Sequence, residues 1–213
     1  MKGIANIFML KSLCFKVVFK TLILVLLTTN GFSQHAISKY EYRWALAHPI
    51  SAISIKKHLS QAMLIYKEVK SKKILDTLEN GGKLDAFRHA FTMAYLTRYV
   101  KVKNLKKLGI AHEKGNKAQF FHHFLEFGER SDSLACEMDL KNNIRGLEIG
   151  EKNKNILIKE LMNEVIYEIK TGNLFYLKRN DSNFYVNCQN EPINLTLYAD
   201  KWFIPKCLIK TNL

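Results

Sequence analysis

The stretch Leu84-Asp85-Ala86-Phe87-Arg88-His89-Ala90-Phe91-Thr92-Met93-Ala94-Tyr95-Leu96 decides how this chain folds. Leu84, Phe87, Phe91 and Ala94 recur at helical spacing and form one apolar stripe. Asp85, His89, Thr92 and Leu96 form a second row, turned by about 100° or more at about 3.6 residues per turn. A helix with core-like residues on two sides belongs in the middle of a bundle, and one is expected from about Lys83 to Val100. Central placement buries Asp85 and His89, and buried polar groups require partners.

Working outward, the flanking segments also read as helical. Pro49 suits the first turn of a helix through Ile50–Lys57. Ser60 can cap a following helix that turns Ala62, Met63, Ile65, Tyr66 and Val69 toward the core. Asn80-Gly81-Gly82 breaks the chain before the central helix. Downstream, a short helix is expected from about Lys103 to Glu113, ending before Gly115-Asn116. A further helix is expected from Asp139 or Leu140 to about Glu148, after a loop at Gly128–Asp132. Asn153 can cap a long helix carrying Leu157, Leu161, Val165 and Ile169, which Thr171-Gly172-Asn173 stops. Beyond Gly172 the pattern becomes extended. Leu174–Lys178 and Phe184–Val186 flank Asn180-Asp181-Ser182-Asn183, a hairpin signal, and Leu195–Tyr198 and Trp202–Ile204 read as further extended pieces. The expected architecture is mainly α, a single helical-bundle domain over residues 34–172 with a small C-terminal β-hairpin appendage over 173–213.

Potential ligands, acids and bases concentrate in three blocks: Asp85–Ala90, Ala111-His112-Glu113, and Met138–Gly146. Asp85 and His89 stand four apart and leave one helix face. His112-Glu113 and Asp139 could reach the same point from two further helices, and histidine with carboxylates from facing helices is a common way to hold a metal inside a bundle. In that reading His89, His112 and Asp139 bind a divalent metal ion, Asp85 is a further ligand or orients a histidine, and Glu113 is the general base. Arg88 holds an anionic group, and Asn142 and Asn143 orient substrate or bond a carboxylate. The competing reading is a buried polar network, with Asp85 and Asp139 bonded to Arg88 or Arg145 and both histidines neutral. Asn116 stands where a zinc-protease helix would carry its second histidine, and no phosphate-binding glycine loop or serine elbow occurs. Phe120, Phe121, Phe124 and Phe127 are expected to pack the core or cover a pocket, with His122 and His123 exposed.

The N-terminus combines Lys2, Lys11, Lys16 and Lys20 with an apolar run, Thr21–Thr28, and small residues before Gln34. This reads as a secretory signal peptide over 1–33, cleaved after Ser33, and implies export to the periplasm or the extracellular space. Its removal takes the net charge from +14 to +10 and leaves no segment apolar enough to span a membrane. The remaining length suits one domain with a real core. The basic balance points to an anionic substrate or envelope polymer; the lysines are scattered, which argues against nucleic acid. Export permits a disulfide, which Cys188 and Cys207 could form, leaving Cys136 a buried thiol.

Together the three blocks resemble a family of uncharacterised bacterial proteins, often secreted and mostly helical, grouped as a domain of unknown function. Its pattern is similar to an Asp-Ala-Phe-Arg-His-Ala helix, an Ala-His-Glu segment and a Met-Asp-Leu-x-Asn-Asn-x-x-Gly segment. Trp44-Ala45 and Pro49 extend the resemblance, which runs from about Tyr40 to Gly150. Members often carry a tryptophan soon after the first block, where this chain has Phe91-Thr92. The resemblance implies that these residues form a unit and brings no activity with it. Three functions stay open: a metal-dependent or acid–base hydrolase, a non-catalytic envelope or surface protein with a structural polar network, and a toxin-like or cell-wall-active effector.

Overall fold

The computed structural model describes residues 37–125 and 128–212. The leader expected over residues 1–33 and Phe127 of the aromatic cluster lie outside the described residues. Within them the chain forms helices α1 (Lys39–Ala47), α2 (Pro49–Ser71), α3 (Lys83–Leu96), α4 (Val102–Phe120), α5 (Ser133–Lys152) and α6 (Ile158–Lys170). Two short antiparallel strands, β1 (Phe175–Leu177) and β2 (Leu208–Lys210), complete a mainly α architecture with a small C-terminal β element. No helix among the described residues is long and apolar enough to cross a membrane.

Helix α3 is central, as its two apolar rows require. It packs most extensively on α5 and also touches α2, α6 and β1. Leu84, Phe87 and Phe91 are fully buried, and the Phe87 and Phe91 rings stack at 5.1 Å. Its N-terminus has no cap of its own, because Gly82 precedes it. Asp76 supplies the missing acceptor from the preceding turn, taking bonds from Lys83 N at 2.6 Å and Leu84 N at 2.9 Å.

The close α3–α5 crossing depends on small residues. A Cβ on Gly146 would fall on the Ala90 backbone, and one on Gly150 on Ala94 and Thr97. Gly146-x-x-x-Gly150 thus lies along Ala90-x-x-x-Ala94, letting the two helix backbones approach closely. That approach brings the polar block of α5 beside Asp85 and His89.

Several boundaries differ from the sequence expectation. The two helices expected around Ser60 are one, since α2 runs unbroken from Pro49 to Ser71 and Ser60 is an ordinary exposed helix position. Helix α4 continues through Gly115-Asn116 to Phe120. Gly115 sits where a side chain would collide with Ser38, and Asn116 Nδ2 donates to Glu113 Oε2 at 3.0 Å, so these residues serve packing and bonding within the helix. Helix α5 begins a turn and a half before Asp139, because Asp132 caps it through bonds from Leu134 N and Ala135 N. Asn153 closes α5 instead of opening α6, and Leu157 is exposed while Leu161, Val165 and Ile169 are buried.

The β element also pairs differently. Phe175 stands opposite Lys210 and Leu177 opposite Leu208, so the partner of the first strand comes from the chain end. The expected turn at Asn180–Asn183 survives as an isolated bridge between Arg179 and Tyr185, and Leu195–Tyr198 is a 3₁₀ turn. Cys188 and Cys207 are joined, and Cys136 is a buried free thiol. Beside the disulfide, Lys206 Nζ lies 2.5 Å from Asp132 Oδ2, both buried, with the Tyr185 ring 3.8 Å from the ammonium. The C-terminal segment is thereby clamped to the start of α5.

Candidate metal centre

Asp85 and His89 project from α3 and Asp139 from α5, all buried. One ligand atom from each lies within 4.8 Å of the others. His89 Nε2 is 3.2 Å from Asp139 Oδ1 and 3.5 Å from Asp85 Oδ1. Asp85 is further held by Arg88 Nη2 at 2.6 Å and by the Gly81 amide at 2.8 Å. Gly81 can present that amide because its φ of +69° places it in the left-handed region.

The other nitrogen of His89 sets its chemistry. Nδ1 lies 3.3 Å from the carbonyl oxygen of the Asn143 side chain, an acceptor that suits the tautomer protonated at Nδ1. In neutral His89 the Nε2 lone pair is then aimed at the two carboxylate oxygens, and Nε2 makes no hydrogen bond although it is buried. Burial, together with the positive charges of Arg88 and His112, holds the imidazole well below its ordinary pKa and so favours the neutral ring. A lone pair facing two carboxylates is repulsive unless a cation stands among them.

His112 and Glu113 come from α4 but play separate parts. His112 Nδ1 is 3.0 Å from Glu41 Oε1, and its ring centroid is 6.5 Å from that of His89. It therefore stands beside the triad and outside the set of three converging ligand atoms. Glu113 is buried, bonded by Asn116, and faces the Cys136 thiol, whose pKa burial and Glu113 raise together. Asn143 supports His89, whereas Asn142 leaves the site altogether. Its amide brackets Phe175, donating to the carbonyl and accepting from the N–H, both at 2.9 Å, and so anchors β1. Arg88 is spent on Asp85, and Arg145 pairs with Glu168 and Glu148, away from the cluster.

Glu41 is the residue that sequence reading passed over. Ser38 and Glu41 form a capping box on α1: Ser38 N donates to Glu41 Oε2 at 2.9 Å, and Glu41 N donates to Ser38 Oγ at 3.3 Å. The Ser-x-x-Glu spacing was a visible signal for a helix start; that the second carboxylate oxygen faces His112 was not. Burial would raise the Glu41 carboxyl, but the His112 hydrogen bond and charge and the Ser38 amide outweigh it, lowering it from 4.5 to about 2.

The chain belongs to the family described as a domain of unknown function (DUF6973), whose profile matches residues 42–173. That span takes in Asp85, His89, His112, Glu113, Asp139 and Asn143 and stops just before β1. No curated protein and no solved structure matches the chain.

Proposed function

We propose that this protein is an exported metal-dependent hydrolase whose divalent cation is bound by Asp85, His89 and Asp139. The observation that carries the reading is the His89 ring: Nδ1 faces the Asn143 side-chain oxygen, which accepts a hydrogen bond from it, and a buried Nε2 is left facing Asp139 and Asp85. Neutral imidazole and two carboxylates form a ligand set for a divalent ion, and three protein ligands leave positions open for water and substrate. Such an ion acidifies water and polarises a scissile bond. Asn143 fixes the ring tautomer, as partners behind metal-ligating histidines commonly do. His112, oriented by Glu41, stands beside this centre as the group that takes or gives a proton. Its side chain is 22% exposed against 4–7% for the triad, so His112 forms the more accessible side of the centre.

A structural role is the second reading, favoured by the bonds that Arg88 and Gly81 already make to Asp85. Metal analysis of protein purified without chelator or affinity tag separates the two. The hydrolase reading expects near-stoichiometric divalent metal in the parent and its loss in His89→Ala and Asp139→Asn variants that stay folded. A parent that is metal-free, and stays so on addition of zinc, manganese or calcium, would sink it. Unfolding of both variants in a metal-free background would establish the structural network.

A further inference from the structure

We infer that the outer face of α1 and α4 is a binding site for a soluble phosphate-bearing ligand, centred on Arg43, Lys107 and Lys114. Charge on these two helices is sorted by side. α1 exposes Lys39 and Arg43, and α4 exposes five lysines between Lys103 and Lys117. Their only carboxylates, Glu41 and Glu113, turn inward to His112 and Asn116. Helices α5 and α6 are mixed: α5 sets Lys141 against Glu137 and Arg145 against Glu148, and α6 alternates Lys159, Glu160 and Glu164. Helix α2 is also lysine-rich, but its Lys70, and Lys72 just beyond its end, are paired with Glu79 and Glu68.

The cationic face is also concave where its charges meet. Tyr40, Arg43, Lys107, Ile110, Ala111 and Lys114 line a groove of about 270 Å³. Among the described residues, Arg43, Lys107 and Lys114 make no ion pair or hydrogen bond, so three like charges face one groove uncompensated. Bringing them together costs repulsion that an anion relieves. Arg43 contributes a planar fork suited to phosphate oxygens, and the lysines contribute point charges. Three cations exceed what a single carboxylate neutralises, whereas a phosphate or pyrophosphate matches them. The groove residues Tyr40 and Ala111 immediately adjoin Glu41 and His112, one helix step away on the same two helices. The site therefore borders the exposed flank of the candidate metal centre. Treating the bound compound as a substrate rests on the hydrolase reading; the binding itself does not.

Calorimetric titration of chelator-treated, metal-free protein with pyrophosphate tests the site without involving the triad. The parent and the Asp139→Asn variant should both bind one equivalent saturably. Combining Arg43→Gln, Lys107→Gln and Lys114→Gln should weaken binding by about tenfold or more, while Lys57→Gln, Lys159→Gln and Lys170→Gln together, with the same loss of charge, should change it by less than about twofold. Circular dichroism checks that both triples fold. Sedimentation with phosphatidylglycerol vesicles separates a lipid headgroup from a soluble ligand. Absence of saturable pyrophosphate binding, equal weakening by the two triples, or binding confined to the vesicles would each overturn the site. If pyrophosphate binds through the groove and the parent never takes up metal, the groove stands and the hydrolase reading falls.

Discussion

Glu41 does two jobs with its two carboxylate oxygens. One closes the α1 capping box on Ser38, and the other holds His112. Because its carboxyl is lowered from 4.5 to about 2, the folded state binds fewer protons than the unfolded chain between those values. Its stabilisation is therefore complete above about pH 4.5 and lost as pH falls toward 2. A Glu41→Gln variant should be less stable than the parent at neutral pH, and the gap should close through that acid window in urea titrations at stepped pH. A gap independent of pH would show that the carboxylate charge is not what His112 and the Ser38 amide stabilise. His89 shows the same economy at a neighbouring position: one nitrogen reads Asn143, and the other faces the carboxylates.

At the level of helices, the α3–α5 crossing decides whether there is a site at all. Asp85 and His89 share one helix, but Asp139 and Asn143 reach them only because Gly146 and Gly150 let α5 settle onto Ala90 and Ala94. Gly146→Val should destabilise the fold by about 3 kcal/mol or more, since the colliding atoms are backbone and cannot swing away. Equilibrium urea unfolding measures this directly, and a loss under about 1 kcal/mol would mean the helices can separate cheaply. A substitution at exposed Gly128, where no atom lies within 4 Å of an added Cβ, meets no such obstacle, although its φ of +84° still favours glycine.

Across the whole molecule, the C-terminal segment is fastened to α5 at its start, through Asp132, and at its middle, through Asn142. The Cys188–Cys207 bond and the buried Lys206–Asp132 pair hold its later half, and the Asn142 bracket on Phe175 holds its start. With the cysteines 19 positions apart, reduction should cost about 3 kcal/mol of stability on chain-entropy grounds. A thermal melt with and without reductant, and a Cys188→Ser variant, should show the same downward shift. No shift would mean that Lys206 and Asp132 hold the segment without help.

Much of this was legible in the residues. The two apolar rows of α3 announced a central helix, and the four-residue spacing of Asp85 and His89 placed both on one face. The small β element was also readable, whereas the pairing of Cys188 with Cys207 was one open possibility until the structure joined them. Helix limits were less so, because Ser60, Gly115-Asn116 and Asn153 look like punctuation yet are used for surface, packing and closure. The strand partner of Phe175–Leu177 lies beyond a disulfide loop, so local turn signals pointed to the nearer segment.

Periodicity and residue type, being local properties, were enough to establish a mainly helical chain with a buried aspartate and histidine on its central helix. Which residues meet them could not follow from local pattern. Asn143 is 54 positions from His89 and Glu41 is 71 from His112, and such pairs exist only once backbones have packed. Asn142 and Asn143 make the point most simply. Adjacent and chemically identical, they diverge by about 100° around one helix. Packing of α5 sends one to β1 and the other to His89.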